Sequence, residues 1–497
     1  MAERNAIEVA QDNIQRGRAD LAIEALLAYS LIQPQDFYAW RLLGIAYHEE
    51  QQEVEAGNAF RKALEIRPDD VCVVLAYAQS RYYSGYSAVE PFQRYMQLAP
   101  EDLNGLRGYV MALAADGEPD QAEELLTRAL RDHPDWLAGH KLLATQRYTT
   151  GDQKAFADSY RDACEASPEN LQLRLEWFRA VAQVQDWESA IQILADGEER
   201  LGSCIQFSLG RLFVACESGD DTNAARLFYE TRESDDVIRD MALVRFSLRQ
   251  GDMTTAESVA RRRLQTASAN VFWPYLSLIW RLRGDPALTW LEGEKPWIKS
   301  LDLHFTITEL NDLASVLLKL HTARSPFAEQ SVRGGTQTDQ NLFLRHEPIL
   351  GLLKERISGG IKKYVSGLPR AVPGHPLLGI PREQPLAGRV QFSGSWSVRL
   401  RSQGFNVSHT HPMGWISSAF YVKLPKADKL GRPPAGWIQF GTPPPELELP
   451  LQASMKIKPK VGHLVLFPST TWHSTVPFDD GERLVVAFDV RPPRGAQ

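Results

Sequence analysis

"FYAWRLLGIAYHEEQQEVEAGNAFRKALEIRP", residues 37–68, decides the fold of the first three hundred residues. Its apolar positions recur at helical spacing in two runs, on either side of the polar "EEQQE" at 49–53. Gly44 and Ala56 are small enough to let the two helices of a hairpin approach closely, while Trp40, Tyr47 and Phe60 fill the space between hairpins. Pro68 ends the second helix because it has no N–H with which to continue it. The unit then repeats. Prolines at 34, 68, 100, 134 and 168 are spaced 34, 32, 34 and 34 residues apart. In step with them, Gly17, Gln51, Gly85, Gly117, Gly151, Gln185, Gly219, Gly251 and Gly284 mark turns every 32 to 34 residues. Nine helix hairpins follow from that count.

Trp40, Leu43, Gly44, Tyr47, Ala56, Phe60, Ala63 and Pro68 occupy all eight signature positions of a tetratricopeptide repeat, which this unit resembles. The resemblance implies a superhelix over residues 1–295 with a concave groove. Such grooves take extended peptides or protein partners, so a protein or peptide substrate is the expected cargo. Assembly of a homo-oligomer, or bracing of a second domain, is the alternative use.

At 497 residues the chain is too long for one ordinary core. A net charge of −7 without a Lys/Arg block argues against a nucleic-acid-binding surface. The longest apolar runs fall far short of the roughly 20 residues that a membrane span needs. "MAERNAIEVAQDN" has no apolar segment of the secretory kind. Cys72, Cys164, Cys204 and Cys216 form no CxxC pair and are expected to be reduced core residues of a cytoplasmic protein.

Beyond "GDPALTWLEGEKPWIKS" the period is lost. A helix is expected over 305–321, a loop over "SVRGGTQTDQNLF" (331–343), and a second helix around 347–366. That loop is no P-loop, since no GK[ST] follows its glycines. The proline-dense stretch 368–385 suits neither helix nor central strand. From 389 onward short strands alternate with Gly/Pro turns, as in "RVQFSGSWSVRL", "SSAFYVKLP", "GWIQFG", "GHLVLFPS" and "RLVVAFDVRP". The expected architecture is thus multidomain: an all-α superhelix (1–295), a helical junction with the RGGTQT loop (296–345), and a β-sandwich or barrel (346–497).

"NVSHTHPMGW", residues 406–415, places His409 and His411 two residues apart, and on a strand both rings would share one face. His473 follows 64 residues after His409, and Arg483 opens the last strand ten residues further on. A lone HxH says little; joined to His473 and Arg483 it reads as a metal site. The other histidines lack a partner at ligand spacing.

This layout, with "RGGTQT", "HTHPMGWISSAFYVKLP", "GHLVLFPSTTWHSTVPF" and "ERLVVAFDV", resembles oxygenases of the tetratricopeptide-repeat type that depend on iron(II) and 2-oxoglutarate. A more distant likeness is to the aspartyl/asparaginyl β-hydroxylases. The resemblance implies a double-stranded β-helix (jelly-roll) domain using Fe(II), 2-oxoglutarate and dioxygen to hydroxylate a C–H bond. It implies His409 and His473 as metal ligands, Arg483 as the grip on the distal carboxylate of 2-oxoglutarate, and Ser397 and Tyr421 as hydrogen-bond donors to it. Trp415, Phe420 and Phe467 are expected to screen the metal from water. His411 departs from the wider pattern, in which aspartate or glutamate stands two residues after the first histidine. Either it is a third ligand, or it stands just outside and water takes the carboxylate's place. A tri-histidine set brings halogenase-like or cupin dioxygenase chemistry within range. A small-molecule hydroxylase, or an inactive oxygenase-like scaffold, are the rival readings of the whole chain.

Overall fold

The computed structural model describes residues 2–295, 297–327, 330–380 and 390–493. Pro296, where the junction was expected to begin, lies outside the described residues, as do 381–385 of the proline-dense stretch, Arg389 and the final residues 494–497.

Eighteen helices among the described residues run from Ala2 to Glu292 and pack against their neighbours in chain order. Two local devices set their ends. Asp36, Asp70, Asp102 and Asn170 each stand two residues after a periodic proline, and each caps the next helix. Asp70, for example, accepts the Val73 N–H at 3.0 Å, an arrangement worth about 1 kcal/mol. At the other end, all nine expected turn positions have positive φ, from 55° at Gln51 to 109° at Gly151. Seven are glycine, which adopts that conformation without strain; Gln51 and Gln185 (φ 62°) are not. The close approach expected at Gly44 is real, because a Cβ there would run into the Phe60 ring. Of the four cysteines, Cys164 and Cys216 are buried as expected, whereas Cys72 is exposed and Cys204 half-buried; all are free.

The rest of the chain is β-rich. Its strands are β1 (Lys299–Asp302), β2 (Val332–Gln337), β3 (Phe392–Asn406), β4 (Ile416–Lys423), β5 (Ile438–Phe440), β6 (Met455–Ile457), β7 (His463–Pro468), β8 (His473–Thr475) and β9 (Arg483–Val490). They form an antiparallel six-stranded sheet, β1-β7-β4-β9-β3-β2, and a three-stranded sheet, β6-β5-β8. An isolated bridge between His409 and His473 adds the 409 segment to the free side of β8. Two sheets with this pairing make the jelly roll that the sequence led us to expect.

The expected loop at 331–343 is in part β2, an edge strand on β3. Its glycines serve the pairing rather than breaking it. Gly334 takes φ 68° at the register shift, and any Cβ on Gly335 would strike the Arg399 carbonyl. Strands β1 and β2 therefore extend the sheet into the stretch read as a junction.

Side chains alternate along β9. Leu484, Val486, Phe488 and Val490 enter a core with the helices Ile307–Leu320 and Pro348–Ser366, through Leu313, Leu317, Leu353, Ile357 and Ile361. Arg483, Val485 and Ala487, of opposite parity, face the cavity between the sheets.

The repeats clasp the β-domain at several turns. The Gln51 amide donates to the Phe392 carbonyl (2.7 Å) and accepts from its N–H (3.1 Å). The Ser84 carbonyl accepts the His346 N–H at 2.9 Å, and Tyr86 stacks on the His346 ring at 4.0 Å. The Thr149 carbonyl accepts the Arg324 N–H at 2.9 Å. At the far end Trp472 packs edge-on to Tyr275 and donates its indole N–H to the Pro274 carbonyl at 3.0 Å. Arg281 reaches the carbonyls of Gly441 and Gln452. No helix among the described residues is long and apolar enough to cross a membrane.

Candidate metal centre and anion anchor

His409 and His411 do not lie on a strand as expected; they belong to the connection between β3 and β4. The bridge to β8 nevertheless brings His409 within 4.2 Å of His473, ring centre to ring centre. His411 lies 5.0 Å from His409 and 5.2 Å from His473 by the same measure. One ligand nitrogen from each ring falls within 4.8 Å of the other two. Each Nδ1 is already committed. That of His409 donates to the Val407 carbonyl (2.7 Å), that of His473 to the Thr471 carbonyl (3.0 Å), and that of His411 to Asp489 Oδ2 (2.8 Å). A carbonyl can only accept, so Nδ1 bears the hydrogen in His409 and His473, and in all three rings Nε2 is the nitrogen left open to a metal. Burial pushes His409 down to about 3, with His411 adding to the effect, and holds His473 well below the usual imidazole range. Both rings are therefore neutral at physiological pH, the form that ligates.

The histidines and Arg483 line one cavity of ≈ 710 Å³. Arg483 is buried, and among the described residues no carboxylate pairs with it. Its Nη1 donates to the Gly436 carbonyl at 3.1 Å, its Nε is buried without a partner, and its guanidinium lies 5.1 Å from the Tyr421 ring centre. The Tyr421 hydroxyl is likewise buried and unpartnered. Burial pushes the Arg483 pKa down and that of Tyr421 up. A buried cation without a counter-ion is costly, and an anion with hydrogen-bond acceptors would relieve that cost here.

Ser397 is not brought to the site. It pairs with Val486, on the outer face of the sheet, and its hydroxyl meets His321 Nε2 at 2.9 Å. Its neighbours Trp396 and Val398 are the ones that line the cavity. The apolar screen also differs from expectation. Phe467 does touch His473 (4.6 Å), but Trp415 and Phe420 belong to the outer core. Trp396 takes their place, its ring nearly parallel to His411 (12°) at 5.7 Å. Sequence reasoning missed Trp396, Asp489 and the repeat residues Tyr148, Gln183, Val184 and Gln185, which line the same cavity. Parity offered a signal for two of these. Trp396 shares a face with Val398 and Leu400, and Asp489 shares one with Arg483.

Residues 394–489 match the model of a family described as "Putative 2OG-Fe(II) oxygenase". Residues 8–71 and 103–145 match tetratricopeptide-repeat models. The chain thus carries tetratricopeptide repeats followed, toward its C-terminus, by a match to this oxygenase-family model. The distant likeness to the aspartyl/asparaginyl β-hydroxylases is not shown by these matches, and Ser397, on which it leaned, faces the wrong way. No curated protein matches. Among solved structures, a tetratricopeptide repeat protein from Parabacteroides merdae ATCC 43184 is similar at 12% identity, covering 52% of this chain and 98% of that one (TM-score 0.32). MamA (41-end) from Desulfovibrio magneticus RS-1 is similar at 18%, covering 34% and 97% (TM-score 0.30). Pseudomonas aeruginosa pilF is similar at 16%, covering 48% and 95% (TM-score 0.25). The oxygenase-family match spans all three histidines together with Arg483, Tyr421 and Asp489.

Proposed function

We infer that this protein is a 2-oxoglutarate- and iron(II)-dependent dioxygenase that hydroxylates a protein or peptide side chain delivered by the repeats. The observation that carries the reading is the pairing of two features in one cavity: a cluster of three histidines, and a buried arginine with no counter-ion among the described residues. The donor set fits the group. Imidazole nitrogens suit iron(II), and the unpartnered Arg483 Nε and Tyr421 hydroxyl suit a carboxylate.

His409, His473 and His411 would hold the metal, while Arg483 and Tyr421 would hold the distal carboxylate of 2-oxoglutarate. Bound together, iron(II), 2-oxoglutarate and dioxygen supply oxidative decarboxylation and C–H hydroxylation. The chain's own part is to orient and to exclude water. Arg483 orients the keto acid through its fork of N–H groups. Trp396, Val398, Val485 and Phe467 keep the surroundings apolar. Selectivity rests on positioning, and Tyr148 with Gln183–Gln185 gives the repeats a wall of the cavity itself. We assign the repeats to about residue 295 and the oxygenase unit from 297 onward, because β1 and β2 belong to its sheet.

The full-length protein is expected to convert 2-oxoglutarate to succinate only with added Fe(II), and His473→Ala to abolish that turnover. Normal succinate production by His473→Ala would refute the metal assignment. Arg483→Lys should raise the KM for 2-oxoglutarate and spare iron binding. A second reading, hydroxylation of a small molecule, is favoured by the cavity's ≈ 710 Å³, a size typical of small-ligand pockets (roughly 300–1,000 Å³). Adding enzyme to cell extract decides between them: a +16 Da shift, the mass of one oxygen, should appear on a protein rather than in the low-mass fraction.

A further inference from the structure

Three neutral imidazoles bring no negative charge to a metal, whereas the usual two-histidine, one-carboxylate set brings one. Resting on the reading that His409, His411 and His473 bind the metal, we propose that Asp489 supplies the missing carboxylate at one remove, as the residue that positions and polarises His411.

The geometry is specific. Asp489 Oδ2 accepts the His411 Nδ1–H at 2.8 Å, and Oδ1 accepts the Ser417 hydroxyl at 2.5 Å. The Ser417 Oγ lies 2.8 Å from the Ser469 Oγ. Both carboxylate oxygens are thus tied, one to the connection that precedes β4 and one to β4 itself, and Ser469, the residue that follows β7, holds Ser417 in turn. Ser417 is the direct cross-strand partner of Asp489 in the β4–β9 register, so the sheet itself sets their spacing. The connection between His411 and β4 must be bare where it passes this cluster. A Cβ on Gly414 would come within 2.5 Å of Ser469 Oγ and 3.2 Å of Asp489 Cβ. Trp396 fixes the plane of the His411 ring by stacking, and Asp489 fixes its rotation within that plane. His409 and His473 have no such partner; each rests on a backbone carbonyl two residues upstream. A carboxylate behind an imidazole holds the Nδ1–H tautomer, aims Nε2 and makes it a stronger donor. The side chain that distinguishes this site from the two-histidine, one-carboxylate pattern is therefore the one backed by an acid.

Co(II), whose visible absorption reports its ligands, is the probe, titrated into the metal-free full-length protein. Asp489→Asn keeps the shape and removes the charge. It is expected to weaken Co(II) binding by about 10- to 100-fold and to alter the ligand-field bands, with the melting temperature of the metal-free protein close to wild type. Ser417→Ala, a milder change that frees one carboxylate oxygen, should weaken binding less and in the same direction. In a His411→Ala background Asp489→Asn should add nothing, because its effect passes through that ring. Wild-type affinity in either Asp489→Asn or His411→Ala overturns the proposal, as do losses that simply add in the double variant. If Asp489→Asn does not fold, unchanged affinity in Ser417→Ala overturns it instead. A wild-type protein that binds neither Co(II) nor Fe(II) would fell the metal reading, and this inference with it.

Discussion

Asp70 caps its helix from three residues away, and the turn beside each repeat is closed by a single left-handed residue. In the β-domain His411 is tied to Asp489 across 78 residues and His321 to Ser397 across 76. One region is assembled from near neighbours, the other from the two ends of a long stretch of chain. Damage to the first should stay local, since each repeat depends chiefly on those beside it. Damage to the second should propagate, because no strand of the jelly roll closes the cavity alone.

Trp472 joins the two regions and offers the harshest test of that contrast. It is buried against Tyr275 and bonded to the Pro274 carbonyl. Trp472→Ala should cost about 3–5 kcal/mol and resolve separate melting of array and β-domain by calorimetry. A loss below about 1 kcal/mol would mean that the regions do not depend on this contact.

A smaller effect is expected inside the array. Asp70→Ala removes one cap and should cost about 1 kcal/mol by denaturant titration, with metal affinity unchanged. Loss of metal binding in that variant would erase the distinction between local and propagated damage.

The smallest effects come from the two turns that depart from glycine. Gln51 spends its amide on the Phe392 backbone, whereas the Gln185 side chain makes no hydrogen bond among the described residues. Gln185→Gly should relieve left-handed strain and stabilise by up to about 1 kcal/mol. Gln51→Gly gains the same relief but loses two hydrogen bonds of about 1 kcal/mol each, so it should be neutral or destabilising. The melting temperature should therefore rise for Gln185→Gly and hold level or fall for Gln51→Gly.

The same difference in reach explains what could be read in advance. Turn positions and hairpins were legible because they recur, and every marked turn has the positive φ that its place implies. His409, His411 and His473 were legible because a motif carried two of them and a strand end the third. Ser397 was misplaced by spacing alone; the parity of β3, with Trp396 and Val398 facing inward, puts it outside. Asp489 is a single acid on a hydrophobic strand, and only the fold reveals that Ser417 and His411 sit opposite it. The docking glutamine at 51 carries no mark in sequence, since its partner is a backbone amide rather than a side chain.

That docking has a consequence for length. A free solenoid can hold any number of units, because nothing beyond the adjacent one measures it. Here the array is pinned to the β-domain at Gln51, Ser84 and Thr149 and again at Pro274 and Arg281. The stretch between the first and last pins behaves as a closed loop, like a strap buckled at both ends. Insert one hairpin, or remove one, and every pin beyond it falls out of alignment. The barrel thus counts its own repeats.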